Sequence, residues 1–116
     1  MADDSSLFMG LPIARAAGVF APRAETELLA RTVLDLLADA GPARVIDMCC
    51  GSGNLTCAVA VRRDHVRVLA VDLLPEAVEA TRRNAERFGV ASRVEARQGD
   101  LFEDLEAQLV EGGVDL

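Results

Sequence analysis

Three acids and one glycine loop carry the chemistry this sequence can offer. The stretch Arg44 to Leu55 runs from a short apolar segment ending at Asp47, through Gly51-Ser52-Gly53, into a helical pattern. Strand, tight loop and helix N-terminus in that order bring backbone N–H groups up against a small ligand. Gly51 and Gly53 suit a sharp turn, and the missing Cβ lets a ligand approach the main chain closely. Asp72 ends a second apolar run, and Asp100 follows an alternating segment, Ser92 to Gln98, that carries Val94 and Ala96. An acid at the end of the second strand can accept hydrogen bonds from two ribose hydroxyls. Asp100 is placed to accept from an adenine amino group, with the Leu101 N–H and side chain beside the ring. Each acid could instead cap a helix, Asp100 above all, and the loop could be a turn without a ligand.

The elements that must position these groups follow in order. Met1 to Ser6 is polar and acidic and is expected to fray. Residues 7–20 mix apolar side chains with Gly10, Pro12 and Gly18, which suits a short hairpin or an irregular arm. Pro22 and two acids then open a helix whose apolar face is read as Leu28, Leu29, Thr32, Val33, Leu36 and Leu37, closed by Gly41-Pro42. Val45 to Met48 is the first strand and Asn54 to Arg62 a helix with Leu55, Ala58 and Val59 inward. Val66 to Val71 is an apolar run suited to a strand covered on both faces. Pro75 opens a further helix, with Val78, Ala85 and Phe88 inward and Gly89 at its end. Ser92 to Gln98 is a third strand, a helix follows to about Val110, and Val114-Asp115-Leu116 begins a fourth strand. Alternating strands and helices predict a parallel sheet with helices on both faces. Ligands in such sheets sit outside the C-terminal strand ends, where Asp47, Asp72 and Asp100 all fall.

Composition narrows the classes. The chain has 116 residues and a net charge of −7, with twelve cations that are all Arg. Its length suits one domain with a modest core. The acidic balance argues against a nucleic-acid phosphate surface. No apolar run could span a bilayer and no signal-peptide pattern opens the chain, so the cytoplasm is the expected compartment. Cys49, Cys50 and Cys57 lack the pair spacing of a zinc site, so no metal is expected, and they read as small buried thiols beside the loop. His65, the single histidine, lies in a polar stretch and reads as a solvated loop residue.

Two ligand classes fit the loop. A dinucleotide fingerprint, Gly-x-Gly-x-x-Gly, needs a third glycine where Thr56 stands. Asp-x-x-x-Gly-x-Gly instead resembles the first motif of the class I S-adenosylmethionine (SAM) methyltransferases. The resemblance extends from about Leu7 to Leu116 and is to the protein-(glutamine-N5) methyltransferases, which modify peptide-chain release factors. It rests on Gly18-Val19-Phe20-Ala21-Pro22-Arg23-Ala24-Glu25-Thr26-Glu27, on Asp47 to Gly53, on Ala70-Val71-Asp72, on Asn84-Ala85 and on Gly99-Asp100-Leu101-Phe102. Ala24 stands where the family usually has Pro, and Met48-Cys49-Cys50 where it usually has Leu-Gly-Thr.

The resemblance implies an α/β, Rossmann-like class I fold. Residues 1–22 would form an arm or hairpin and residues 23–116 an incomplete SAM-binding subdomain, ending just inside the fourth strand. It implies SAM contacts from Asp47, Cys49, Gly51, Gly53, Asn54, Asp72, Leu73, Asp100 and Leu101. Phe20, Arg23, Glu25 and Thr26 would wall or position the mouth of the site; they could equally form a helix start with a surface salt bridge. The implied reaction is direct methyl transfer to an amide or amine nitrogen, of a protein glutamine or of a small molecule. The family's Asn-Pro-Pro-Tyr signature, which holds the acceptor amide, would follow the fourth strand, so no catalytic residue is named and this length is expected to be inactive alone. A SAM-binding module without turnover and an NAD(P)-binding domain are the alternatives. An apolar first strand left at the sheet edge would invite a homodimer.

Overall fold

The computed structural model describes residues 5–14 and 24–100. A hairpin comes first, β1 (Ser5–Phe8) antiparallel to β2 (Leu11–Ala14). Met9 and Gly10 between them both have positive φ, 51° and 81°. Two left-handed residues in a two-residue loop match the right-handed twist of the flanking strands. The strand reaches back to Ser5, so pairing with Ala14 orders a residue that the polar sequence pattern assigned to a frayed end.

Next come α1 (Ala24–Leu37), β3 (Ala43–Met48), α2 (Asn54–Arg62), β4 (Val66–Asp72), α3 (Pro75–Arg87), a 3₁₀ turn (Ala91–Arg93) and β5 (Val94–Gln98). β3, β4 and β5 form a parallel sheet in that order. The register sets Val45 beside Val68 and Ala70 beside Ala96. Strand residues alternate faces. Ala43, Val45, Val66 and Val68 share a core with Val33, Leu34 and Leu37 of α1 and Val59 of α2. Further along the same face, Ala70 and Ala96 pack with Cys50 and Val78 of α3. The three described helices therefore lie on one face of the sheet. The helix and fourth strand read from the sequence after Leu101 lie outside the described residues. Among the described residues, no helix is long and apolar enough to cross a membrane.

The buried stripe of α1 is Ala30, Val33, Leu34 and Leu37, while Leu28, Leu29, Thr32 and Leu36 are exposed. The expected face is therefore turned by about 100°, one residue of an α-helix. Both sets recur at helical spacing; contact with β3 and α2 selects the one that contains the small Ala30.

Three side chains close the helix ends opposite the loops. Arg63 donates from Nε and Nη2 to the Leu34 carbonyl, and Arg93 donates to the carbonyls of Ala60, Arg63 and Val66. Cations suit the negative ends of α1 and α2 and occupy their orphan carbonyls. His65 is half-buried rather than solvated, with Nε2 3.2 Å from the Leu37 carbonyl. A polar flanking sequence does not reveal that a helix end will pack over the ring.

Candidate functional site

The C-terminal strand ends form one connected ledge. The Cys50 N–H donates to the Val71 carbonyl at 3.1 Å, and the Gly99 N–H to the Asp72 carbonyl at 3.1 Å. Gln98 Nε2 donates to the Leu73 carbonyl at 3.1 Å. The loops after β3, β4 and β5 are thus joined through β4, the middle strand.

The glycine loop is held from both sides. Gly51 and Gly53 have φ of 58° and 84°, where L side chains are strained. A Cβ on Gly53 would meet Thr81 Cγ2 at 3.0 Å and Thr81 Oγ1 at 3.1 Å. A side chain at residue 53 would therefore push α3 back from the loop by a few tenths of an ångström. Thr81 Oγ1 donates to the Gly51 carbonyl at 3.0 Å and lies 3.3 Å from Cys50 Sγ. Asn84 Nδ2 donates to the Ser52 carbonyl at 2.8 Å.

Asp72 pins the loop to β4. Its Oδ2 accepts the Gly51 N–H at 3.1 Å, and its Oδ1 accepts the Leu74 N–H at 3.0 Å. A carboxylate has about four lone-pair sites, so two bonds leave capacity for further donors. Asp72 is half-buried, and Leu73 and Leu74 beside it are exposed apolar side chains. Asp47 is buried, and its Oδ2 accepts the Thr56 hydroxyl at 2.5 Å. Burial raises its pKa from 3.8 to about 6; the Thr56 hydrogen bonds oppose the shift, and the charge of Asp72 adds to it. Asn54 opens α2 directly after the loop, and its Oδ1 is buried without a hydrogen-bond partner. Among the described residues it is the one such buried side-chain atom, an acceptor awaiting a donor.

Asp47, Gly51, Gly53, Asn54, Asp72 and Leu73 are therefore brought to one ledge, as their positions in the sequence predict. Asp100 follows on from Gly99 and is exposed. Cys49 departs from the expectation of a buried thiol: it is exposed, with a φ of 59°. The turn out of β3 rotates its side chain outward, while Cys50 and Cys57 stay buried. Burial pushes those two thiols up to about 11 and about 12, so neither is a thiolate near neutral pH. Thr26 is half-buried on α1, and Glu25 lies in its first turn. Phe20, Arg23 and Leu101 lie outside the described residues.

Sequence reasoning missed Thr56, Thr81 and the bonding of Asn84. Thr56 drew notice only as an absent glycine, yet its hydroxyl holds Asp47. Thr81 and Asn84 share the buried stripe of α3 with Ala77, Val78 and Ala85. Polar residues on an otherwise apolar helical stripe are the signal that could have found them.

Residues 10–111 match the model of the methyltransferase small domain family. The chain is 34% identical over 96 residues to a release factor glutamine methyltransferase of Clostridium acetobutylicum, a match covering 83% of this chain and 34% of the relative. It is 40% identical over 97 residues to that of Streptomyces coelicolor, covering 79% and 33%. The chain thus spans about a third of the length of the curated relatives it matches. An RNA methyltransferase from Salinibacter ruber, solved with S-adenosylhomocysteine, superposes with a TM-score of 0.60 at 32% identity, covering 72% of this chain and 52% of that one. A precorrin 8w decarboxylase from Methanobacterium thermoautotrophicum superposes with a TM-score of 0.65 at 30% identity, covering 80% and 48%.

Proposed function

Since the chain belongs to the methyltransferase small domain family, we propose that it binds SAM on the ledge at the ends of β3, β4 and β5 and serves methyl transfer to an amide or amine nitrogen. The observation that carries the reading is the loop itself. Two left-handed glycines, a carboxylate with free lone pairs and a buried acceptor without a donor meet at one helix N-terminus. These groups suit the parts of SAM. The loop and Asn54 Oδ1 would take the amino-acid end, whose ammonium is a donor. The open lone pairs of Asp72 would accept from the ribose hydroxyls. Leu73 and the Asp100–Leu101 segment would border the adenine. Asp47 acts through the loop and Thr56, as buried negative charge beneath a cationic ligand. Cys49 would lie at the rim, and Phe20, Arg23, Glu25 and Thr26 at the mouth.

When bound, SAM supplies an electrophilic methyl group on a sulfonium. An amide nitrogen is a poor nucleophile, so rate must come from positioning and from hydrogen bonds that favour the transition state. The chain is assigned the cofactor-binding part of that reaction, with no catalytic residue named. The names of the relatives favour a protein glutamine as acceptor, with a small molecule as the other acceptor class. Thr56 counts against a dinucleotide. It fills the third-glycine position with a 1% exposed side chain committed to Asp47. The reading includes action in the cytoplasm and self-association through β3, which is one of the two edge strands of the parallel sheet among the described residues. A single monomeric species in sedimentation at high concentration would remove that last part.

Calorimetric titration with S-adenosylhomocysteine (SAH) tests the central claim. Saturable binding, with NAD failing to compete, is expected. A folded chain that binds NAD and not SAH would overturn it.

A further inference from the structure

Asn84 does more than support the loop. It is 1% exposed on α3, and its carboxamide makes three hydrogen bonds. Oδ1 accepts the Ala14 N–H at 3.0 Å, and Nδ2 donates to the Ala14 carbonyl at 2.9 Å and to the Ser52 carbonyl at 2.8 Å. Toward Ala14 the side chain behaves as a neighbouring strand would, pairing with both backbone groups of the last residue of β2. Its remaining N–H goes to the glycine loop. Only a carboxamide offers one acceptor and two donors in this fork. The hairpin also sits on the helix that follows the loop, since Phe8 and Ile13 pack with Cys57 and Ala58 of α2. Elsewhere it is held by exposed cations: Arg62 donates to the Met9 carbonyl and Arg87 to that of Pro12.

We propose that Asn84 is a positioning residue that latches the N-terminal hairpin to the glycine loop, so that cofactor binding and hairpin docking favour one another. The inference rests on the SAM reading of the loop. Coupling of this kind is reciprocal: whatever orders the loop also steadies the hairpin.

Amide exchange followed by NMR on the 116-residue chain, with and without SAH, tests it. SAH is expected to slow the Ala14 N–H and the Asn84 Nδ2 protons together with the loop amides, by about 5-fold or more, the low end of ordinary coupling. Asn84→Asp, which faces two carbonyls with a carboxylate, should keep SAH protection at Gly51 and lose it at Ala14. Arg87→Ala, which removes one exposed hairpin contact and leaves the loop and the Asn84 fork in place, should keep both. SAH binding with protection confined to the loop overturns the latch and leaves the cofactor reading standing. Equal protection of Ala14 in Asn84→Asp does the same. If that variant does not fold, the wild-type comparison decides alone. Absence of SAH binding overturns the cofactor reading and the latch with it.

Discussion

Asp47 and Asp72 lie at the ends of neighbouring parallel strands, each following an apolar run, and in sequence they look interchangeable. In space they are opposites. Asp47 lies under α2, 8% exposed, with a threonine hydroxyl on one oxygen. Asp72 lies beyond that cover, half-buried, with each oxygen on a backbone N–H. The loop after β3 folds back as α2 over its own strand end, and the loop after β4 does not. A helix that shields an acid raises its pKa; a turn that supplies donors without shielding leaves the carboxylate able to bind. On the proposed reading the pair divides the work, with Asp47 as a buried internal charge and Asp72 as the contact group.

The largest effect that should separate them is the pH dependence of stability. The folded-state pKa of Asp47 is about 6 against an ordinary 3.8, so the folded state holds its proton over that interval. Its contribution is fully present below about pH 4 and is lost as pH rises through 6. The loss is about 3 kcal/mol, from a shift of roughly two pKa units at 1.36 kcal/mol each. Asp47→Asn should remove this slope and leave the variant more stable than wild type at pH 7 in denaturant titrations. An unchanged difference between the two proteins from pH 4 to pH 7 would mean that Asp47 is as solvated as Asp72.

Thr56→Val comes next. The near-isosteric change takes away the 2.5 Å donor and leaves a buried carboxylate short of a partner. The expected cost at pH 7 is about 1–3 kcal/mol, with the slope displaced to higher pH because the lost bond had held the pKa down. Asp47→Asn with Thr56→Val should cost less than the sum, since the two side chains share one interaction.

Asp72→Ala should act on the ligand and spare the fold. SAH binding is expected to weaken by about 1–3 kcal/mol, the range for leaving polar partners unmatched. The Gly51 and Leu74 N–H groups lose an acceptor near solvent, which water can replace. A variant that binds SAH as well as wild type would take the ribose role from Asp72.

The contrast shows which parts of this molecule are legible in its sequence. Strand and helix order, the left-handed glycines and the meeting of loops at one sheet end follow from local patterns: apolar runs, Pro at a helix start, Gly at turns. The α2 boundaries fall where the pattern sets them, Asn54 to Arg62. What could not be read was which of two periodic stripes α1 buries, that Cys49 faces outward, and that Thr56, Thr81 and Asn84 hold the loop. These depend on the rotation of one element against another, and on contacts such as Ala14 with Asn84, 70 residues apart. Spacing along a chain gives the period of a helix but not its phase against a sheet. The same limit hides the difference between Asp47 and Asp72, because the cover over Asp47 comes from a neighbouring element and not from the strand.

The smallest effect is the most pointed, because it runs through both acids. The charge of Asp72 is the weakest of the influences on Asp47, and it pushes that pKa up. Asp72→Asn removes the charge while keeping one oxygen for a backbone N–H. Stability should change little, because solvent can serve the one backbone N–H that loses its acceptor, as in Asp72→Ala. The midpoint of the Asp47 slope should move down in pH by less than Thr56→Val moves it up. The displacement should shrink in high salt, because Asp72 is open to screening ions where Asp47 is not. A midpoint that ignores Asp72→Asn would mean the two acids do not sense each other. A displacement as large as that of Thr56→Val would mean that charge rather than burial dominates the site, and the contrast between the strand ends would need another cause.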